Sequence, residues 1–258
     1  MTAHDGSPDA PRLGTQLETP DEQRLEELRT NLAAVNARIE RGCADAGRDP
    51  DEVTLVVVTK YFPASDVLLL HRLGVRHFGE NRDQEAGEKF RAARHALAEA
   101  GESELTLHFI GQLQSNKAGH VAGYSDVVQS VDRSKLVSAL DRGAHAVDRR
   151  LRLLLQVSLD GDTARSGVLP EAAADLADEV AGRELLSLKG VMAVAPLGAD
   201  PDEAFARLRA VADGIRARHP DADWLSAGMS ADLEAGLRHG ATHLRVGTAI
   251  LGSRPSLL

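Results

Sequence analysis

The sequence predicts one closed (β/α)8 barrel of the TIM type. Three observations predict it. Short apolar runs rich in β-branched residues recur along the chain, as parallel strands buried on both faces require. Each is followed by a segment whose apolar residues fall at helical spacing. Eight such units fit between Asp21 and Leu258, a span suited to one such domain. Strands alternating with helices imply right-handed crossovers and a parallel sheet. An open doubly wound sheet is the alternative, and the missing GxGxxG after the first strand weakens its dinucleotide-binding form.

The elements follow in order. Residues 1–20 are rich in Pro, Gly, Ser and Asp and read as a disordered leader; 21–258 is the barrel. Asp21–Ala46 carries Leu25, Leu28, Leu32, Val35 and Ile39 at helical spacing, and Gly47 with Asp49-Pro50 stops it. Strands are expected at Val53–Thr59, Val75–Gly79, Leu105–Ile110, Asp126–Val131, Leu151–Leu159, Leu186–Val194, Trp224–Ala227 and His243–Val246. Helices are expected at Ala64–Leu73, Asn81–Ala100, Ser115–Ala122, Arg133–Val147, Glu171–Ala181, Asp202–Arg218 and Ser230–His239, with a closing turn after Thr248.

Composition excludes several classes. The 258 residues are 43% hydrophobic and 27% charged, with a net charge of −9, so no global basic footprint exists for nucleic acid or an anionic membrane. No run approaches the roughly 20 apolar residues of a membrane span, and the N-terminus lacks a secretory pattern. The one cysteine, Cys43, permits no intrachain disulfide. His77, His108 and the other histidines show no metal-ligand spacing and read as core or mouth residues. The expected location is the cytoplasm and the expected state a monomer.

Barrels carry their sites at the C-terminal ends of the strands. Lys60 directly follows LVVVT, where a lysine either reaches solvent or points into the mouth. In the mouth, desolvation favours the neutral amine, which attacks aldehydes. Gly228-Met229-Ser230 and Gly247-Thr248 follow strands seven and eight, where barrels often bind phosphate. Ser230 and Thr248 offer hydroxyls, each opening a helix or turn, unless they are ordinary caps. Arg245 inside THLRVG must be paired, either with a carboxylate or with the ring nitrogen of a cofactor.

The segments VVVTKYFP, HFGENRDQE, HFIGQLQSNKA and LSAGMSADLEAGLRHGATHLRVGTAILGSR also resemble the pyridoxal phosphate homeostasis proteins, from Leu25 to Arg254. The resemblance implies the fold type III barrel of the alanine racemase N-terminal domain. It implies that Lys60 is the Schiff-base lysine and that Asn81 lies beside the ring. Ser230, Gly247 and Thr248 would hold the phosphate, Met229 would add a backbone contact, and Arg245 would face the ring nitrogen. Lys117 matches a motif lysine with a secondary role near the mouth. Arg165, in the looser segment GDTARSG, is given no site role.

Two functions follow. One is a non-catalytic holder of pyridoxal phosphate that buffers it or passes it to apo-enzymes. The alternative is an amino-acid racemase of the alanine racemase type. Two-base racemisation needs a second acid/base on the opposite face. In alanine racemase a C-terminal domain supplies it, and the sequence ends a few residues after the eighth strand. Neither Tyr61 nor Tyr124 is an obvious substitute, so the holder is the expected function.

Overall fold

The computed structural model describes residues 22–102, 104–161 and 166–253. The leader read for residues 1–20 and Arg165 lie outside the described residues. In chain order the elements are α1 (Glu22–Asp45), β1 (Thr54–Val58), α2 (Ala64–Arg72), β2 (His77–Glu80) and α3 (Asp83–Glu99). Then come β3 (Thr106–Phe109), α4 (Ala118–Tyr124), β4 (Val127–Val131), α5 (Ser134–Ala146), β5 (Leu151–Gln156) and α6 (Ala173–Ala181). The chain continues through β6 (Leu186–Met192), α7 (Pro201–Arg218), β7 (Trp224–Ser226), α8 (Leu233–Arg238), β8 (His243–Val246) and α9 (Thr248–Leu251). The eight strands close in sequential order, with β8 pairing parallel to β1 through Leu55↔Leu244 and Val56↔Arg245. Closure decides for the barrel and against the open sheet.

Period-two alternation sorts the strand residues. Phe78, Leu107, Phe109, Leu153, Leu225, Leu244 and Val246 join the helices in the main core cluster. Apolar side chains inside the barrel include the cluster Val127, Leu154 and Met192, with Trp224 against it, and Val56, Val58 and Ile110 around Gly79. Beside them lie polar side chains, with His108, Gln129, Ser226, His243 and Arg245 all buried. Apolar strand runs do not announce this.

Helix α1 buries the stripe its spacing specifies, from Leu25 to Ile39. It also braces the C-terminal turns from outside the barrel. Arg24 Nη2 donates to the Leu251 carbonyl at 3.0 Å, and Asn31 Nδ2 to the Ile250 carbonyl at 3.0 Å. Arg38 donates to the Ser230 carbonyl at 3.0 Å and pairs with Glu234.

Two boundaries differ in ways that matter. Helix α8 starts at Leu233, so Ser230 does not open a helix as the sequence suggested. Asp232 closes a turn instead: Met229 N–H donates to its Oδ1 at 2.6 Å and Asp232 N–H returns to the Met229 carbonyl at 3.2 Å. Such side-chain bonds compete with helix. Helix α3 starts at Asp83, which leaves Asn81 beyond β2 in non-helical backbone. Gly111 lies against that residue, and a Cβ there would meet the Asn81 carbonyl oxygen at 2.3 Å.

Leu28 is wholly buried in the α1 stripe. Leu28→Ala should lower unfolding free energy by about 3 kcal/mol, the usual cost of such a cavity, measured by urea denaturation.

Candidate functional site

The C-terminal ends of the strands surround a cavity of about 450 Å³, within the size range of small-molecule sites. Lys60 follows β1, Asn81 follows β2, and Arg245 lies within β8, and all three line it. Met229, Ser230, Gly247 and Thr248 line it from the loops after β7 and β8. The structure therefore gathers all seven residues named from the sequence on one wall system. That wall carries two cationic side chains and no carboxylate. Its electrostatics favour an anionic ligand.

Lys60 is half-buried, and among the described residues its amine has no ion-pair or hydrogen-bond partner. The backbone beside it is strained. Tyr61 has φ of 71°, a left-handed conformation that costs a bulky residue about 1–3 kcal/mol. A buried polar cluster that sequence reasoning missed holds this turn. Lys89 Nζ donates to the Thr59 carbonyl at 2.9 Å, to Glu80 Oε1 at 2.7 Å and to Glu85 Oε1 at 3.0 Å. Burial pushes the Glu80 carboxyl up, and Lys89 pulls it back. Helical spacing hinted only at the Glu85–Lys89 pair.

Arg245 is 4% exposed and, among the described residues, makes no salt bridge. The carboxylate alternative raised from the sequence is therefore not what the structure contains. Its Nη1 donates to Ser226 Oγ at 2.6 Å and its Nη2 to the Ala193 carbonyl at 2.8 Å. Burial pulls its pKa down to about 10, with Asp232 opposing. Ser226 Oγ donates to Gln129 Oε1 at 2.7 Å. The Gln129 amide donates from Nε2 to His108 Nδ1 across 2.9 Å, which leaves the His108 hydrogen on Nε2, 3.0 Å from His77 Nδ1. This one-way chain requires neutral imidazoles. Burial supplies them, lowering His77, taking His108 well below its ordinary range, and taking His243 beside them to about 3.

Asn81 Oδ1 is buried without a hydrogen-bond partner. A ring hydroxyl in the cavity would satisfy it. Ser230 and Thr248 offer hydroxyl groups on the same wall. Met229 N–H is already committed to Asp232, so the free backbone contact expected of Met229 is not available in this arrangement. These features fit pyridoxal phosphate: a free amine for its aldehyde, a cation for its ring nitrogen, and hydroxyls with an uncapped glycine turn for its phosphate.

Lys117 does not line this cavity. It borders a neighbouring one of about 430 Å³ that shares Asn81, and its Nζ lies 3.9 Å from Asp83 Oδ2. Tyr124 is turned away, its hydroxyl bonded to Asp83 at 3.1 Å and pushed above its ordinary range by burial. A further cavity of about 430 Å³ lies at the N-terminal end of the strands. Three of its four arginines are spent on the chain itself: Arg48 on the Ala241 carbonyl, Arg209 on Asp213 and Arg238 on Asp202.

The closed barrel with a lysine after its first strand belongs to the alanine racemase N-terminal class, and the family described as "Alanine racemase, N-terminal domain" matches residues 24–255. The pyridoxal phosphate homeostasis protein of Mycobacterium tuberculosis is 45% identical over 243 residues, covering 90% of this chain and 94% of that one. The protein of that name from Escherichia coli K12 is 37% identical over 233 residues, covering 89% and 98%. PipY of Synechococcus elongatus, solved with PLP bound, superposes with a TM-score of 0.73 at 32% identity, covering 87% of this chain and 100% of that one. This chain belongs to the pyridoxal phosphate homeostasis protein family.

The histidine chain makes a prediction with a definite sign. His243 binds its proton far less readily folded, at about 3, than at its ordinary 6.5. The unfolded state therefore holds more protons between those values, and stability falls as pH drops through that window, by about 5 kcal/mol when complete. Urea denaturation from pH 7 to pH 4 should show the loss, and His243→Phe should make it shallower, with His77 and His108 sustaining the remainder. An unchanged slope in the variant would refute the assignment.

Proposed function

We propose that this chain holds pyridoxal 5′-phosphate at Lys60 and serves the homeostasis of that cofactor rather than catalysing a reaction on amino acids. The observation that carries the reading is the gathering of Lys60, Asn81, Arg245 and the two phosphate-type loops on one cavity without a carboxylate. Pyridoxal phosphate brings an aldehyde, with which a lysine amine condenses with loss of water. Lys60 supplies that amine. Arg245 would face the ring nitrogen, and a cation fixed there disfavours its protonation, which weakens the ring as an electron sink. Ser230, Gly247 and Thr248 would hold the phosphate, and Asn81 would meet the ring edge.

The racemase alternative needs a second acid/base beside the reacting carbon. The described residues lining the cavity include Lys60 and Arg245 but no carboxylate, histidine, cysteine or tyrosine. The relatives are named homeostasis proteins, which supports the same ordering. Delivery to apo-enzymes is the partner function we infer.

We place the protein in the cytoplasm as a monomer. Among the described residues no helix is long and apolar enough to cross a membrane. Exposed large apolar side chains there are confined to Val147, Val194 and Leu197. Sedimentation should report a particle of 27.5 kDa; a stable dimer would overturn the monomer.

Incubation with pyridoxal phosphate followed by borohydride reduction should place the adduct on Lys60 by peptide mass mapping. Lys60→Ala should abolish it. Alanine and serine should show no racemisation at enzyme-like rates, on the order of one per second or more. An adduct elsewhere would refute the site, and brisk turnover would restore the racemase.

A further inference from the structure

Lys60 sits at the corner of a four-residue turn. Phe62 N–H donates to the Thr59 carbonyl at 3.0 Å and closes it. Tyr61, with φ of 71°, occupies the third position. In such turns that place ordinarily takes glycine or asparagine. A tyrosine persists there only if the surroundings over-determine the backbone.

They do so from both sides of Lys60. Ahead of it, the Thr59 hydroxyl donates to Glu80 Oε1 at 2.8 Å, and the Thr59 carbonyl accepts from Lys89 Nζ at 2.9 Å. Behind it, Tyr61 N–H donates to Glu85 Oε1 at 2.7 Å. Lys89 ties the same Glu85 oxygen and Glu80 together. Thr59 and Glu80 are fully buried and Lys89 nearly so. None of the three charged residues lines the cavity, so they touch the peptides around Lys60 and not a ligand there.

We propose that Glu85, backed by Lys89 and Glu80, is a positioning residue for Lys60: it pins the Tyr61 N–H and so holds the left-handed turn that presents the Lys60 side chain to the cavity. This rests on the reading of Lys60 as the residue that takes the cofactor. Glu85 acts on reactivity through backbone geometry, because small misplacements of a reacting group carry large kinetic costs. Its position in the first turn of α3 lets it reach back over the end of β1.

The test uses the full-length chain as wild type, Glu85→Gln, Glu85→Ala and Glu85→Ala with Tyr61→Asn. Each is incubated with pyridoxal phosphate, trapped with borohydride over time, and mapped for the Lys60 adduct. In parallel the cofactor-free proteins are labelled with trace acetic anhydride, scoring Lys60 against exposed Lys135. Glutamine keeps the acceptor oxygen and should stay within about twofold of wild type, whereas alanine should slow trapping and shift Lys60 labelling by about tenfold. Asparagine adopts the left-handed region readily, so the double variant should return to within about threefold. Wild-type rates in Glu85→Ala would overturn the proposal. So would a folded double variant that stays slow, and this holds even where the alanine variant alone does not fold. A wild type that gains no adduct at Lys60 refutes the cofactor reading instead, which separates the two failures.

Discussion

A guanidinium lies almost wholly out of water in the mouth of this barrel, and no carboxylate of the described residues pairs with it. Burying an unpaired charge is costly unless hydrogen bonds replace the water. Arg245 spends two donors on Ser226 and the Ala193 carbonyl and keeps the rest of its fork for the cavity. That constraint propagates. Ser226 can accept from Arg245 only while donating onward, so Gln129 must turn its carbonyl to Ser226 and its amide to His108. His108 then has one tautomer, fixed by Gln129 on the neighbouring strand β4. The interior is therefore partly polar, and the larger hydrophobic cluster lies in the shell between strands and helices.

The same division explains which features could be read from the chain alone. Eight strand–helix units are legible because the outward strand faces and inward helix faces are apolar at regular periods. Lys60, Ser230, Arg245 and Thr248 are legible because lysine, arginine and hydroxyl–glycine loops at strand ends break those periods. The interior chain was not, because Gln129 and Ser226 lie 97 residues apart and nothing local to either records the pairing. Arg38 is likewise an ordinary polar residue on the outer face of α1 until the fold brings it to the Ser230 carbonyl, 192 residues away. The start of α8 was misjudged because Asp232 reads equally as a first-turn helix residue and as a turn-closing acceptor.

Lys60 shows how far apart recognition and arrangement can be. Its place after β1 was visible, but its presentation depends on a left-handed tyrosine that no sequence rule would put there. The strain is sustained by a buried cation between two glutamates, itself an expensive arrangement if any member is removed. Strain supported in this way tends to lie where geometry serves function. The cluster sits outside the cavity wall, so its electrostatic cost is met by α3 and β2 and the wall stays free of negative charge.

That separation bears on why such a site would hold a cofactor without using it. Racemisation or transamination requires a proton to be taken from carbon and returned, with the ring drawing electrons. In the proposed reading the ring nitrogen would meet the Arg245 guanidinium, which a hydrogen-bond chain through Ser226, Gln129 and His108 orients. Lys60 is the one amine on the wall, and in the same reading it is the group that would take the aldehyde. In the proposed reading, Lys60 as tether, the loops after β7 and β8 as phosphate seat and Arg245 as cation would supply binding and orientation, with no carboxylate, histidine or tyrosine on the wall as a second proton-transfer group. The chemistry most natural to it is reversible capture at one amine, and the partly polar interior of the barrel sets the terms of that capture.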